Sequence, residues 1–210
     1  MSDDLLRGFG MTTFLSVLPI LNPFGAMPVF AALTMSQPLD YQRRMAWRTA
    51  LNVFVIMVVA LLAGRAVLAF FGVSVGHLQV AGGLIVARTA WHMSAGGAYQ
   101  APAAGAVATE QDISFSPLAL PLLSGPGVIG LLIATASHSD RLSDYLTAIM
   151  ALALLGLITY VCLRLSTRVS KRLGAGGIDA MSRIMGFIVL AIAVNLIAEG
   201  AAVLMRELHI

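Results

Sequence analysis

Leu18-Pro19-Ile20-Leu21-Asn22-Pro23-Phe24-Gly25 is echoed 102 residues later by Leu120-Pro121-Leu122-Leu123-Ser124-Gly125-Pro126-Gly127. Four of the eight positions are identical. The leucine matches mean little in a chain this apolar, but Pro19 falls on Pro121 in a sequence with only eight prolines, and turn-forming residues surround both. The same offset brings Gly72 onto Gly174, and Gly82–Val86 falls on Gly186–Leu190 at an offset of 104. Each proline cluster lies inside a long run without charge, Met11–Thr34 in one case and Ile113–Ser137 in the other. Proline removes a backbone donor and clashes with the preceding turn, so these two runs read as interrupted helices rather than continuous ones.

The rest of the chain sets where such helices sit. It has 210 residues, 59% apolar and 11% charged, whereas a soluble domain carries about 45–50% apolar and about 25% charged residues. That composition excludes an ordinary soluble enzyme. Six hydrophobic segments can be drawn, at about 9–34, 46–71, 77–96, 113–137, 145–163 and 184–205, several of them near the roughly 20 residues that cross a bilayer. Segments two and three are divided at Gly72-Val73-Ser74-Val75-Gly76, where paired glycines can reverse the chain. Between segments three and four, Ser94–Asp112 is mostly Ala, Gly and small polar residues and reads as a flexible loop.

The offset cuts the chain into two units of three segments, residues 1–97 and 113–210, joined by a flexible loop at 98–112. An odd number of spans per unit makes the second enter the membrane from the opposite side. The expected fold is therefore an all-α integral membrane protein, six transmembrane segments in two inverted three-helix repeats, with segments 1 and 4 broken by proline. Inverted pairs recur in secondary transporters, whose solute site lies where interrupted helices from the two halves meet.

Nine of the 13 basic residues fall on the side of the odd-numbered connections and four on the other, which assigns the nine to the cytoplasm and predicts both termini periplasmic. The lone cysteine, Cys162, permits no internal disulfide or multi-cysteine metal site. His77, His92, His138 and His209 show no ligand spacing, so no metal and no cofactor are expected. No patch combines basic and aromatic residues, which argues against nucleic acid. The expected partners are the lipid bilayer and a small solute, with homo-oligomerisation left open.

At the breaks, Pro19, Pro23, Pro121 and Pro126 should free backbone groups that hydrocarbon cannot satisfy. Asn22 and Ser124 supply polar side chains there, while Gly25, Gly125 and Gly127 permit close backbone approach. The expected solute-binding set is Asn22, Pro23, Gly25, Ser124, Gly125, Pro126 and Gly127, with Pro19 and Pro121 as helix-breaking residues. Neither break carries a charged side chain. Half-helix amides can receive a carboxylate and exposed carbonyls an ammonium group, which favours a neutral or zwitterionic solute.

Five motifs together resemble the MarC family: Leu18-Pro-Ile-Leu-Asn-Pro-Phe-Gly25, Phe71-Gly-Val-Ser-Val75, Val80-Ala-Gly-Gly-Leu-Ile-Val86, the run Pro117–Gly127, and Gly176–Gly186. The resemblance covers nearly the whole chain, with the motifs in the family's order and spacing. It implies a six-span bacterial inner-membrane protein of the wider lysine-exporter-like superfamily, labelled multiple-antibiotic-resistance or neutral-amino-acid-transporter-like. By motif position the two polar proline turns carry over to Asn22–Gly25 and Ser124–Gly127, and the family's late arginine to Arg183. Gln79 stands where the family often has a basic residue.

Arg183 precedes the last span, and Asn195 and Glu199 are four apart on one helical face. All three are gating or coupling candidates, an intramembrane carboxylate being a functional candidate by default. A serine hydrolase built on Ser124 would need an activating base within the membrane, and the sequence supplies none there. The function expected is not enzymatic. It is alternating-access transport or export of a small neutral or zwitterionic metabolite, amino acids first, and the alternative is a non-transporting structural or regulatory membrane subunit.

Overall fold

Helix dominates the computed structural model, which describes residues 2–34, 36–95, 112–137 and 141–208; among these there is no strand. In chain order the helices are α1 (Ser2–Leu21), α2 (Pro23–Thr34), α3 (Leu39–Phe71), α4 (Val75–Ser94), a π-helical segment (Ser114–Leu123), α5 (Pro126–Ala136) and α6 (Leu142–Leu208). The flexible loop expected at 98–112 lies, apart from Asp112, outside the described residues.

Proline chemistry explains most of the interruptions. The residue before a proline is pushed out of helical geometry by the pyrrolidine ring, and four such residues have left it. Asn22, before Pro23, adopts φ 46°. Ser116 and Leu120, before Pro117 and Pro121, are extended at φ −125°, ψ 129° and φ −122°, ψ 132°. Gly125, before Pro126, sits at φ −70°, ψ 178° and starts α5, with Pro126 in the first turn, where its missing N–H is not needed. Pro19 behaves otherwise. It lies inside α1, so the break expected at both prolines of the first cluster occurs only at the second.

Glycine makes the other two. Gly72 ends α3 at φ 65°, ψ 24°, and its N–H and that of Val73 close the last turn onto Ala69 and Leu68 carbonyls. Gly174, at φ 63°, ψ −178°, interrupts α6. The connection expected between the fifth and sixth segments is thus helical on both sides of a single glycine. These are the two glycines with positive φ among the described residues, and they are the pair that the 102-residue offset aligned. Helix ends repeat that register: Leu21, Thr34 and Phe71 correspond to Leu123, Ala136 and the residue before Gly174, each 102 positions on.

Among the described residues four helices are long and apolar enough to cross a membrane, Gly8–Thr34, Leu39–Phe71, Leu142–Val169 and Arg183–Glu207. The two remaining segments are α4, whose 20 residues reach about 30 Å but include Gln79, Arg88 and two histidines, and the π segment with the 11-residue α5. Large apolar side chains point outward along the long helices, among them Met150 at 71% and Phe187 at 71% exposure. Helices apolar on their outer as well as their inner faces belong in lipid. Inside, Phe30, Met45, Met57, Leu118, Leu132 and Leu152 form one continuous core. A smaller cluster, Val86, Ala90, Val189 and Ala193, joins α4 to the second arm of α6, the partner against which α4 chiefly packs.

Candidate functional site

The two breaks meet. A cavity of about 90 Å³ is lined by Ile20, Leu21, Asn22, Gly25 and Ala26 from the first break and by Leu122, Leu123, Gly125, Pro126, Gly127 and Val128 from the second. α4 closes it with Ile85, Val86, Thr89 and Met93, and α6 with Val189. One water needs about 10–15 Å³ of such space, so several waters or one small solute fit.

Asn22 holds the first break together. Its side-chain Oδ1 accepts the Gly25 N–H at 3.0 Å and its carbonyl accepts the Ala26 N–H at 3.2 Å, so it caps α2. Its own N–H donates to the Leu18 carbonyl at 3.0 Å and closes the end of α1. Asparagine suits this place because its short amide both tolerates positive φ and caps. The Asn22 Nδ2 group reaches Met93 Sδ on α4 at 3.8 Å, a weak partner.

At the second break no side chain caps α5. The first helical hydrogen bond is donated by Ile129 N–H to the Gly125 carbonyl at 3.1 Å. Gly127 and Val128, which precede it and line the cavity, carry amides without an intrahelical acceptor. Gly127 also makes the convergence sterically feasible, since a Cβ there would sit 1.9 Å from Val86 Cγ2 on α4. Ser124 N–H closes the π segment onto the Ala119 carbonyl at 2.8 Å. The Ser124 side chain is fully buried, its Oγ has no partner among the described residues, and it does not line the cavity.

The cavity wall is therefore apolar with a few polar points: the starts of α2 and α5, the carbonyl ends of α1 and the π segment, the Asn22 amide, and the Thr89 hydroxyl, which also donates to Ile85 O at 3.1 Å. Among the described residues no charged side chain lines it. Helix starts carry about half a positive charge and helix ends about half a negative one, so the wall offers both signs without a formal charge.

Of the residues singled out from sequence, Asn22, Gly25, Gly125, Pro126 and Gly127 come together in this wall, and Pro23 is buried immediately beside it. Pro121 belongs to the π segment, one to seven positions before the second-break residues that line the space. Asn195 and Glu199 lie elsewhere, in a separate groove, and Arg183 is exposed at the start of the last apolar span. Sequence reasoning missed the whole α4 contribution. The available signal was the motif Val80–Val86, whose last two residues line the cavity one turn before Thr89.

On the side of α3 that meets the start of the π segment, Arg48 Nη1 donates to Asp112 Oδ2 at 2.7 Å and Ser114 N–H donates to Asp112 Oδ1 at 2.9 Å. Asn52 Nδ2 donates to Ser114 Oγ at 3.2 Å. Hydrogen bonding to Ser114 first, and Arg48 beside it, hold the Asp112 carboxyl below its usual range against some desolvation. This clamp pins the chain where it enters the second broken segment.

These features define a polytopic α-helical membrane protein in which two interrupted helical segments enclose an uncharged, polar-tipped cavity. The chain belongs to the MarC family: the model described as MarC family integral membrane protein matches residues 8–205. It is 31% identical over 220 residues to the inner membrane protein MarC of Salmonella typhimurium, with 98% of this chain and 99% of that protein covered. The protein of that name from Escherichia coli O1:K1 is likewise 31% identical over 220 residues, covering 98% and 99%. A membrane protein of Buchnera aphidicola is 28% identical over 187 residues, 89% of each chain. No solved structure matches.

Proposed function

We propose that this chain is a secondary transporter or exporter of a small neutral or zwitterionic metabolite, amino acids first, working by alternating access in the bacterial inner membrane. The observation that carries this reading is the convergence of both helix breaks on one cavity, with no charged side chain among the described residues of its wall. A zwitterion places its carboxylate at the amide start of α5 and its ammonium group at the carbonyl ends of α1 and the π segment, and the apolar faces of Val86, Met93 and Val189 receive a short side chain. The 102-residue register of helix ends supports two three-segment units, 1–97 and 113–210, of opposite orientation and six crossings in all, and the nine-to-four distribution of basic residues supports both termini being periplasmic. The inner-membrane assignment follows the relatives' names.

The test is flux of a panel of neutral amino acids into and out of proteoliposomes. Asn22→Ala and Thr89→Val should each lower flux of the transported solute, with thermal melts separating a lost contact from a lost fold. Unchanged flux in both variants would remove the cavity as the solute site. Absence of flux for every solute, with a stoichiometric partner co-purifying, would favour the membrane-subunit alternative.

A further inference from the structure

Arg44, Arg48, Leu51, Val55, Val59 and Leu62 follow one another along α3 at steps of four or three residues, the spacing that keeps side chains on one face of a helix. All six are exposed, and the two cations lead the four apolar residues. At the charged end, α3 walls an open groove of about 760 Å³ with Asp40, Tyr41, Arg44 and Arg48, and Gln37 and Asp112 complete it. Its charges are unequally engaged. Arg48 is held by Asp112 at 2.7 Å, and Asp40 faces Arg43 at 3.8 Å. Arg44 has no carboxylate partner among the described residues; its guanidinium carbon lies 5.8 Å from the Tyr41 ring centroid, a cation–π contact that holds it at the groove. At the apolar end the same face runs into a groove of about 290 Å³ between α3 and α5, lined by Val55, Val59, Ile129 and Ile133.

The charges that bracket the long helices set the depth of this face. On α3, Arg48 and Arg65 enclose the charge-free run Thr49–Gly64 and stand 17 positions apart, about 26 Å along the axis. On the first arm of α6, Asp144 and Arg164 enclose Tyr145–Leu163 and stand 20 positions apart, about 30 Å. Both lengths match a hydrocarbon core of about 30 Å. Trp47 meets Tyr160 edge to face at 5.7 Å between ring centroids, which brings the Arg48 end of α3 level with the Arg164 end of α6. Trp and Tyr are the residues of the membrane–water boundary. Arg44 and Arg48 therefore stand at headgroup level. Val59 is 11 positions past Arg48, about 16 Å deeper and so close to the middle of the bilayer.

A cation without a counter-charge at the boundary, followed by one leaflet's depth of exposed apolar surface that ends in an apolar groove, has the shape and charge order of a single phospholipid. The geometry points to a phospholipid-binding site on α3: a lipid of the leaflet at this end, cytoplasmic in the proposed orientation, sets its phosphate on Arg44 and lays an acyl chain along Leu51 and Val55 into the groove against Ile129 of α5. The planar guanidinium fork suits two phosphate oxygens at once. A free phosphate engages the arginine alone and gains nothing from the apolar half of the face. The chain also meets α5, the helix that starts at the second break.

Native mass spectrometry of the full chain in detergent, titrated with dioleoyl phosphatidylglycerol, reads the bound lipid directly. One lipid should bind ahead of all others, and dioleoylglycerol, which has the same chains without the phosphate, about tenfold more weakly. Arg44→Gln should lower phosphatidylglycerol affinity about tenfold, the loss of one charge-assisted contact. Arg168→Gln removes an exposed cation from α6 instead and should leave the affinity unchanged. Val55→Trp fills the apolar groove without altering charge and should also weaken binding. Both arginines are exposed, so their variants should melt with the wild-type protein in lipid-free detergent, which separates a lost site from a lost fold. Equal losses in Arg44→Gln and Arg168→Gln, or dioleoylglycerol binding as tightly as phosphatidylglycerol, overturn the site. Displacement of the lipid by inorganic phosphate, or full affinity kept in Val55→Trp, overturns the lipid as its occupant.

Discussion

Gly127→Ala tests the packing that lets the two breaks share one cavity. The added methyl would lie 1.9 Å from Val86 Cγ2 and 3.4 Å from Ile20 Cγ2, so the first contact must give way and the second need not. Val86 is 6% exposed and packed in the cluster that joins α4 to α6, which leaves it little freedom to retreat. Overpacking of this kind costs about 1–3 kcal/mol. Val86→Ala alone removes two methyl groups, about 1.5 kcal/mol by area and less in lipid, where apolar transfer contributes little between helices. The two changes are complementary, because the smaller residue at 86 vacates the space that the larger one at 127 requires. The double variant should therefore be at least about 1 kcal/mol more stable than the sum of the single effects. Reversible unfolding in mixed micelles, run on the four proteins of the cycle, measures that coupling. Additivity within about 0.5 kcal/mol would refute the contact, and with it the close approach of the second break to α4.

Three further outcomes follow from local geometry. Asn22→Ala should lower thermal stability more than Asn22→Gly, since alanine loses the cap to Gly25, about 1 kcal/mol, and also takes on φ 46°, whereas glycine adopts that φ freely and costs only about a few tenths of a kcal/mol as a cap; equal melts would contradict the capping role. Gly72 and Gly174 should differ despite similar φ: Gly72, at ψ 24°, is in a region asparagine tolerates, while Gly174, at ψ −178°, is in one nearly exclusive to glycine. Gly174→Asn should cost about 1–3 kcal/mol and Gly72→Asn clearly less, as read by thermal melts. The Arg48–Asp112 clamp has a depressed carboxyl pKa, so its stabilisation is complete above the usual carboxylate value near 3.9 and disappears as pH falls through the lower folded-state value. Asp112→Asn should remove that acid dependence from the melting temperature, and an unchanged pH profile would show the clamp to be inert.

Much of the architecture was legible from the chain alone, because the signals are local. Charge-free runs of bilayer length, prolines that displace the preceding residue, and glycines in register each act within a few residues of backbone, and the helix ends at Leu21, Thr34 and Phe71 recur at the same spacing as the motifs. Pro19 shows the limit of that reasoning, for a proline late in a helix can be carried without a break. The expected loop around Gly174 shows another, since basic residues mark a polar stretch without saying that it is unwound.

What the order of residues determined, then, is where the backbone must depart from a straight helix and how little charge accompanies those departures. What only tertiary packing decided is what the departures face. Asn22 turned its oxygen inward to cap α2, Ser124 went behind the wall, and Thr89 and Met93 of α4 came to line it. Asn195 and Glu199 were set into a groove of their own. Those assignments depend on which helix lies against which, a property of contacts between residues far apart in the chain that no local pattern encodes.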